Sequence, residues 1–233
     1  MNVEFIGPEG RIVQQECRRC GDCCRKGSPT LHVVDADLIR NGVFSYADIY
    51  TIRKDELVYN NIDDEFINID YELIKLRENP GSRQCKFFTV EGEGAVAAAL
   101  CTVYENRPAQ CQNFECWNHE KLMSTFSEEK LTRHHLLEGN DALLDIVERH
   151  AEKCSYQMIG DAFQATRKGR DEVGVILDAL QYDTFLRSFV TEKMGVPEQY
   201  QDLLLGRPLT ETIIMFGYKV EKDAEGNYCL AYM

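Results

Sequence analysis

Four thiols within eight residues, Cys17-x-x-Cys20-Gly-Asp-Cys23-Cys24, constrain this chain more than any other stretch, and four more follow at Cys85, Cys101, Cys111 and Cys116. Two cysteines three residues apart on a turn bring both sulfurs within reach of one soft cation. That spacing occurs twice in succession here, with a further cysteine added, and the run reads as a metal site. Eight thiolates are twice the complement of a closed tetrahedral zinc site or of a four-iron cluster. Cys17, Cys20 and Cys23 repeat the C-x-x-C-x-x-C run of ferredoxins, without the C-x-x-x-C-P ending. Consecutive side chains tend to point apart, so Cys23 and Cys24 are expected to face different metals, unless one of them is a supporting or reactive thiol. Two centres, or one polynuclear centre, fit the run better than a single zinc.

Disulfides are the weaker explanation of ten cysteines. The first residues lack a basic flank followed by an apolar stretch, and no apolar run is long enough to span a bilayer. The expectation is a cytoplasmic protein, in a compartment where thiols stay reduced. With 39 acidic against 26 basic side chains, a net charge of -13 argues against nucleic acid as a partner, since phosphate binding needs a positive field. At 233 residues and 44% hydrophobic content the chain buries a core without crosslinks.

Turn and periodicity signals organise the rest. Phe5-Ile6 and Arg11-Ile-Val13 read as strand edges, Leu31 to Val34 as a strand, and Asp35 or Asp37 as the cap of a brief helix ended by Gly42. Ser45 is placed to cap a helix over Tyr46 to Lys54. Alternation follows through Phe66, Ile67, Ile69 and Tyr71. Cys85 to Val90 and Ala95 to Leu100 then form an expected hairpin that brings Cys85 and Cys101 to one end. Pro108 biases Arg107 toward an extended shape that aims Cys111 back at the other thiols, where Arg107 would offset thiolate charge. Helices are expected over Ser127 to Leu137, Asp141 to Lys153 with Asn140 as cap, Asp171 to Met194, Glu198 to Leu205 and Leu209 to Phe216. The longest carries the apolar stripe Val175, Ala179, Tyr182, Leu186, Phe189 and Val190. Tyr218 to Lys222 and Tyr228 to Tyr232 close the chain as a second hairpin.

Taken together, the eight cysteines with Phe87, Tyr104, Arg107, Pro108 and Phe114 resemble the bacterial YkgJ-type cysteine-cluster family, described as a zinc- or iron-chelating domain. The resemblance covers residues 17 to 116 and implies a metal held by Cys17, Cys20, Cys23, Cys24, Cys85, Cys101, Cys111 and Cys116. A similar cluster occurs in flagellin lysine-N-methylases, which admits a protein-modification chemistry. No Gly-rich loop after a strand is present to hold S-adenosylmethionine in a Rossmann-type domain. The resemblance implies a metal and no particular reaction.

Outside the motif, Cys154 and Cys229 read as buried structural thiols. His32, His134, His135 and His150 carry no ligand pattern, with His134, His135 and His150 expected on solvated helix faces and His119 the one held in reserve as a ligand. Asp63-Asp64-Glu65 reads as solvated loop charge. The expected protein is α+β: a cysteine-rich α/β module over residues 1–117, and a mainly helical region over 118–233 closed by a β-hairpin and packed on the first. Its first functional reading is an iron-sulfur cluster or similar iron centre for redox or protein modification. The alternatives are a non-catalytic zinc module that binds a protein partner, and a zinc or iron chelator with an exchangeable site.

Overall fold

The computed structural model describes residues 5–6, 12–14, 16–60, 64–92, 98–118, 120–226 and 228–233. The fold is α+β, with helices and small two-stranded sheets. Two compact units share the chain: Met1–Phe44 with Leu76–Leu131, and Ser45–Lys75 with Thr132–Met233.

In the first unit Phe5–Ile6 and Ile12–Val13 pair antiparallel, the strand edges expected there. The helix Asp22–Lys26 follows Gly21, whose φ is 76°. The expected strand over Leu31 to Val34 is reduced to one bridge, His32 with Lys130, followed by a 3-10 turn over Val33–Asp35 and the helix Ala36–Arg40. The reason is local: the Asp35 carboxylate accepts the His32 N–H at 2.9 Å and turns the chain before a strand can extend. Leu31 and Phe44 are fully buried, and the Phe44 ring meets Phe87 with centroids 5.1 Å apart. The expected hairpin forms with shifted bounds, Phe88–Glu91 with Ala98–Cys101: Cys85 precedes the first strand, Cys101 ends the second and faces Phe88, and residues 95–97 lie outside the described residues. Beyond it lie a 3-10 turn at Tyr104–Asn106 and the helices Ala109–Asn113 and Glu120–Phe126.

The helix expected over Ser127 to Leu137 does not form. Ser127 closes the preceding turn by donating from Oγ to the Ser124 carbonyl at 2.6 Å, and Leu131 is buried in irregular chain. Thr132 then starts a separate short helix, Arg133–Leu136, within the second unit. There the Arg133 guanidinium donates to Glu72 at 2.8 Å and to the Leu204 carbonyl at 2.6 Å.

A second correction concerns Ser45. It caps one 3-10 turn, Tyr46–Asp48, and the chain continues as the strand Ile49–Ile52, which pairs with Leu73–Leu76. β-Branched Ile49, Thr51 and Ile52 favour a strand, and all three are buried. The alternating stretch forms the hairpin Leu57–Asn60 with Glu65–Asn68, on which Phe66 is exposed with its ring against Tyr59; Asp63 lies outside the described residues.

Three helices make the second unit's core: Asp141–Lys153, Tyr156–Arg167 and Val173–Glu192. Asn140 caps the first, as expected, by accepting from the Leu143 N–H. Tyr156–Arg167 is a helix that the turn and cap signals did not single out. Ser155 caps it, and Ile159, Ala162 and Phe163 supply its buried face. In Val173–Glu192 the buried residues are Ile176, Ala179, Leu180, Asp183, Leu186, Arg187 and Val190, while Phe189 stands 37% exposed. The inward face is therefore rotated from the apolar stripe so that Asp183 and Arg187 turn inward. Glu198–Tyr200 with Gln201–Leu204, and Leu209–Thr212 with Ile213–Phe216, are the two short helical segments expected. Tyr218–Lys222 and Tyr228–Tyr232 pair as the closing hairpin, with Tyr218 stacked on Phe163 at 4.4 Å. Val220 and Leu230 pack on the core. Cys229 points the other way and is exposed, which corrects its reading as a buried thiol. Among the described residues no helix is long and apolar enough to cross a membrane.

Candidate metal centre

The eight thiols of the motif all belong to the first unit, and Cys23, Cys24, Cys101 and Cys111 sit on its helices and hairpin. Cys23 and Cys24 occupy the helix Asp22–Lys26, with their sulfurs 3.9 Å apart. They stand together, contrary to the expectation that neighbouring side chains face apart. Cys85 is buried, and its N–H donates to the Cys24 carbonyl at 2.8 Å. The Phe88 N–H bonds to Cys85 O and the Thr102 N–H to Phe87 O, both at 2.9 Å, so Cys85 and Cys101 lie at the same end of the hairpin. Cys111 rides on Ala109–Asn113, and Asp35 accepts that helix's Ala109 N–H at 2.8 Å. Cys17, Cys20 and Cys116 are exposed; Cys17 accepts from the Arg19 N–H at 3.4 Å and Cys116 from Gln14 at 3.7 Å. Among the described residues no three of these eight sulfurs lie within 4.8 Å of one another. His119 lies outside the described residues.

The thiols interact electrically. The Cys24 S–H hydrogen bond lowers Cys23 to about 6 and raises Cys24, which burial and the charges of Cys23, Cys111 and Cys101 raise further. Burial raises Cys85, with Cys101 and Cys23 adding to it. Cys111 is pushed up by burial and by Cys85, Cys23 and Cys101, and Arg107 pulls it back down. Cys23 and Cys24 at this spacing cannot both ionise readily without a nearby cation, and a soft metal ion would supply one. The donor set fits zinc and iron, both of which bind thiolate sulfur.

Three guanidinium groups lie on the segments that carry the thiols. Arg107 stacks on the Tyr104 ring with Cζ 3.7 Å from the centroid, and Arg19 stacks on the same ring at 3.9 Å. Arg25 donates to the Cys20 carbonyl at 2.8 Å and lies over Phe88.

A second group of metal-ligating types lies in the other unit, and reading the sequence missed it. His150, Cys154 and Asp183 are all buried, with donor atoms within 4.8 Å of one another. Val147, His150 and Cys154 recur at helical spacing, the pattern that could have revealed a buried histidine. This group is a hydrogen-bonded network. Asp183 takes His150 Nε2 at 2.8 Å, Arg187 Nε at 3.2 Å and the Leu209 N–H at 3.0 Å. Arg53 donates to the Cys154 carbonyl at 3.0 Å and stacks on Tyr156. Two guanidinium groups already neutralise the carboxylate, and burial drives the Cys154 thiol up to about 12. Both features disfavour a cation. Cys154 is thus the buried structural thiol expected, whereas His150 is buried and not solvated.

Burial, with Arg53 and Arg187 nearby, lowers His150 to about 4 despite its bond to Asp183. The unfolded chain therefore binds this proton first on acidification. The network's stability is intact above the free-histidine range near 6.5 and is lost as pH falls toward 4. Urea unfolding of the helical unit at pH 7 and pH 4.5 is expected to differ by about 2–3 kcal/mol through this group. A His150→Gln variant should show a flatter pH dependence. An unchanged slope would remove His150 as its source.

A family model described as "CxxCxxCC: putative zinc- or iron-chelating domain" matches residues 16–134, which include all eight motif cysteines. No curated protein and no solved structure matches the chain. All eight motif cysteines lie in the first unit and within the matched residues, and the chain belongs to the CxxCxxCC family of zinc- or iron-chelating domains.

Proposed function

We propose that the first unit is a thiolate metal centre in which Cys23 and Cys24 bind the same zinc or iron ion and Cys17, Cys20, Cys85, Cys101, Cys111 and Cys116 complete the coordination. The observation that carries this is the 3.9 Å between the Cys23 and Cys24 sulfurs. Two thiolates on one tetrahedral ion with bonds of about 2.3 Å stand about 3.8 Å apart. In a four-iron cube each iron takes one cysteine, so this spacing fits a mononuclear site, or one iron of a two-iron cluster, better than a cube. An iron-sulfur cluster remains the second reading, favoured by the run Cys17, Cys20, Cys23. Arg107, which lowers Cys111, offsets thiolate charge in either case. The reading suits the cytoplasm, where the thiols stay reduced.

Protein purified without oxygen is expected to carry about one to two metal ions per chain, as eight thiolates allow. Zinc and a colourless preparation mark the mononuclear site, and a broad visible band with iron and sulfide marks the cluster. Cys24→Ser should lose at least one ion per chain while Cys154→Ser retains them all. Wild-type protein without zinc or iron under these conditions would sink the reading.

A further inference from the structure

We infer that the centre is divided, with an inner group of Cys23, Cys24, Cys85, Cys101 and Cys111 that retains metal, and an exchangeable outer group of Cys17, Cys20 and Cys116 latched by the stack of Arg19, Tyr104 and Arg107. This inference rests on the metal-binding reading above and adds a division of labour to it.

The inner group is built into secondary structure. Cys23 and Cys24 share a helix, the Cys85 N–H is bonded to Cys24 O, Cys101 is paired in the hairpin, and Cys111 lies on a helix whose first N–H is held by Asp35. Cys85 is 7% exposed. The outer three are exposed and none lies in a helix or strand, whereas Cys23, exposed as well, is held by the helix Asp22–Lys26. An ion held by backbone-fixed thiols leaves only when packed structure opens, whereas one held by loop thiols leaves when the loop swings away.

Arg19 sits between the two outer cysteines of the N-terminal loop, and Arg107 precedes Cys111. Both guanidinium carbons lie within 4 Å of the Tyr104 centroid, at 3.9 Å and 3.7 Å. One ring has room for one guanidinium on each face, so Tyr104 clips the Cys17–Cys20 loop onto the segment that leads to Cys111. Arg19 is left-handed, with φ of 54°, a conformation a non-glycine residue holds at some cost. The stack offsets that cost, and losing it would let the loop relax away. Arg25, bonded to Cys20 O, is the second tether.

The test uses zinc-loaded full-length protein, with metal transfer to a chromogenic chelator followed in time and the remaining zinc counted by native mass spectrometry. Two phases are expected, one fast and one slow. Cys116→Ser and the triple variant Cys17→Ser, Cys20→Ser, Cys116→Ser should lack the fast phase and keep the slow one. Tyr104→Leu removes both cation–π contacts and should accelerate the fast phase about tenfold, while Tyr104→Phe keeps the ring and the wild-type rate. Full loading with a single phase, or loss of the slow phase from Cys116→Ser, overturns the division. Equal rates for Tyr104→Leu and wild type overturn the latch. Wild-type protein that takes up neither zinc nor iron overturns the metal-binding reading itself, and the division with it.

Discussion

Asp183→Ala is expected to destabilise the helical unit by about 3–5 kcal/mol, the cost of removing one partner from a buried charge network. Asp183 is 1% exposed and accepts from His150, from Arg187 and from the Leu209 N–H. Those contacts join Asp141–Lys153, Val173–Glu192 and Leu209–Thr212 at one carboxylate. Alanine would leave the buried imidazole and the Arg187 Nε without the acceptor they share. Two hydrogen bonds from Arg187 remain, to Gly206 O at 2.7 Å and to Asp202 at 3.4 Å, and these keep the loss from being larger. Asp183→Asn retains the shape and one acceptor oxygen and should cost roughly half as much. Urea unfolding at pH 7 followed by far-UV circular dichroism checks both. A loss below about 1 kcal/mol for alanine would show that the network contributes little beyond filling space.

Gly21→Ala is expected to abolish stable metal binding while leaving the helical unit folded. A Cβ at Gly21 would come within 2.4 Å of the Phe88 ring and 2.9 Å of the Ala99 methyl, on a backbone with φ of 76°. Left-handed strain of about 1–2 kcal/mol adds to overpacking of about 1–3 kcal/mol, both at the residue that opens the helix of Cys23 and Cys24. The helix and the hairpin would be forced apart where Cys24 and Cys85 meet. Gly81→Ala is the control, with a similar φ of 71° but open space around its Cβ. Zinc or iron content after gel filtration decides the matter, and metal retention equal to wild type in Gly21→Ala would refute the prediction.

Where local chemistry suffices, the sequence was legible. The hairpin of Phe88–Glu91 with Ala98–Cys101 and the closing hairpin follow from turn-forming residues between strand formers in the sequence. Asn140 caps its helix because a short side chain can reach an N–H three residues on. The same reasoning failed at Ser45, where the cap formed but a β-branched segment with a place in a sheet took over after one turn. It failed at Ser127 to Leu137 because a helix-permissive composition does not mark where a chain must bend to bury Leu131. The stripe on Val173–Glu192 was misaligned because periodicity counts apolar residues, and two charged ones were turned inward.

What the sequence alone determined is the thiol motif and its metal chemistry, since ligand type and spacing are properties of a few neighbouring residues. The tertiary structure decided the approach of the Cys23 and Cys24 sulfurs, the stacking of Arg19 and Arg107 on one tyrosine, and the burial of His150 with Asp183. It also divided the chain into two units in which residues 45–75 join the later helices. These outcomes depend on partners distant in sequence, as with Arg53 and the Cys154 carbonyl, 101 residues apart. A charge or a thiol takes its properties from the groups that replace water around it, and those are known only once the chain has packed.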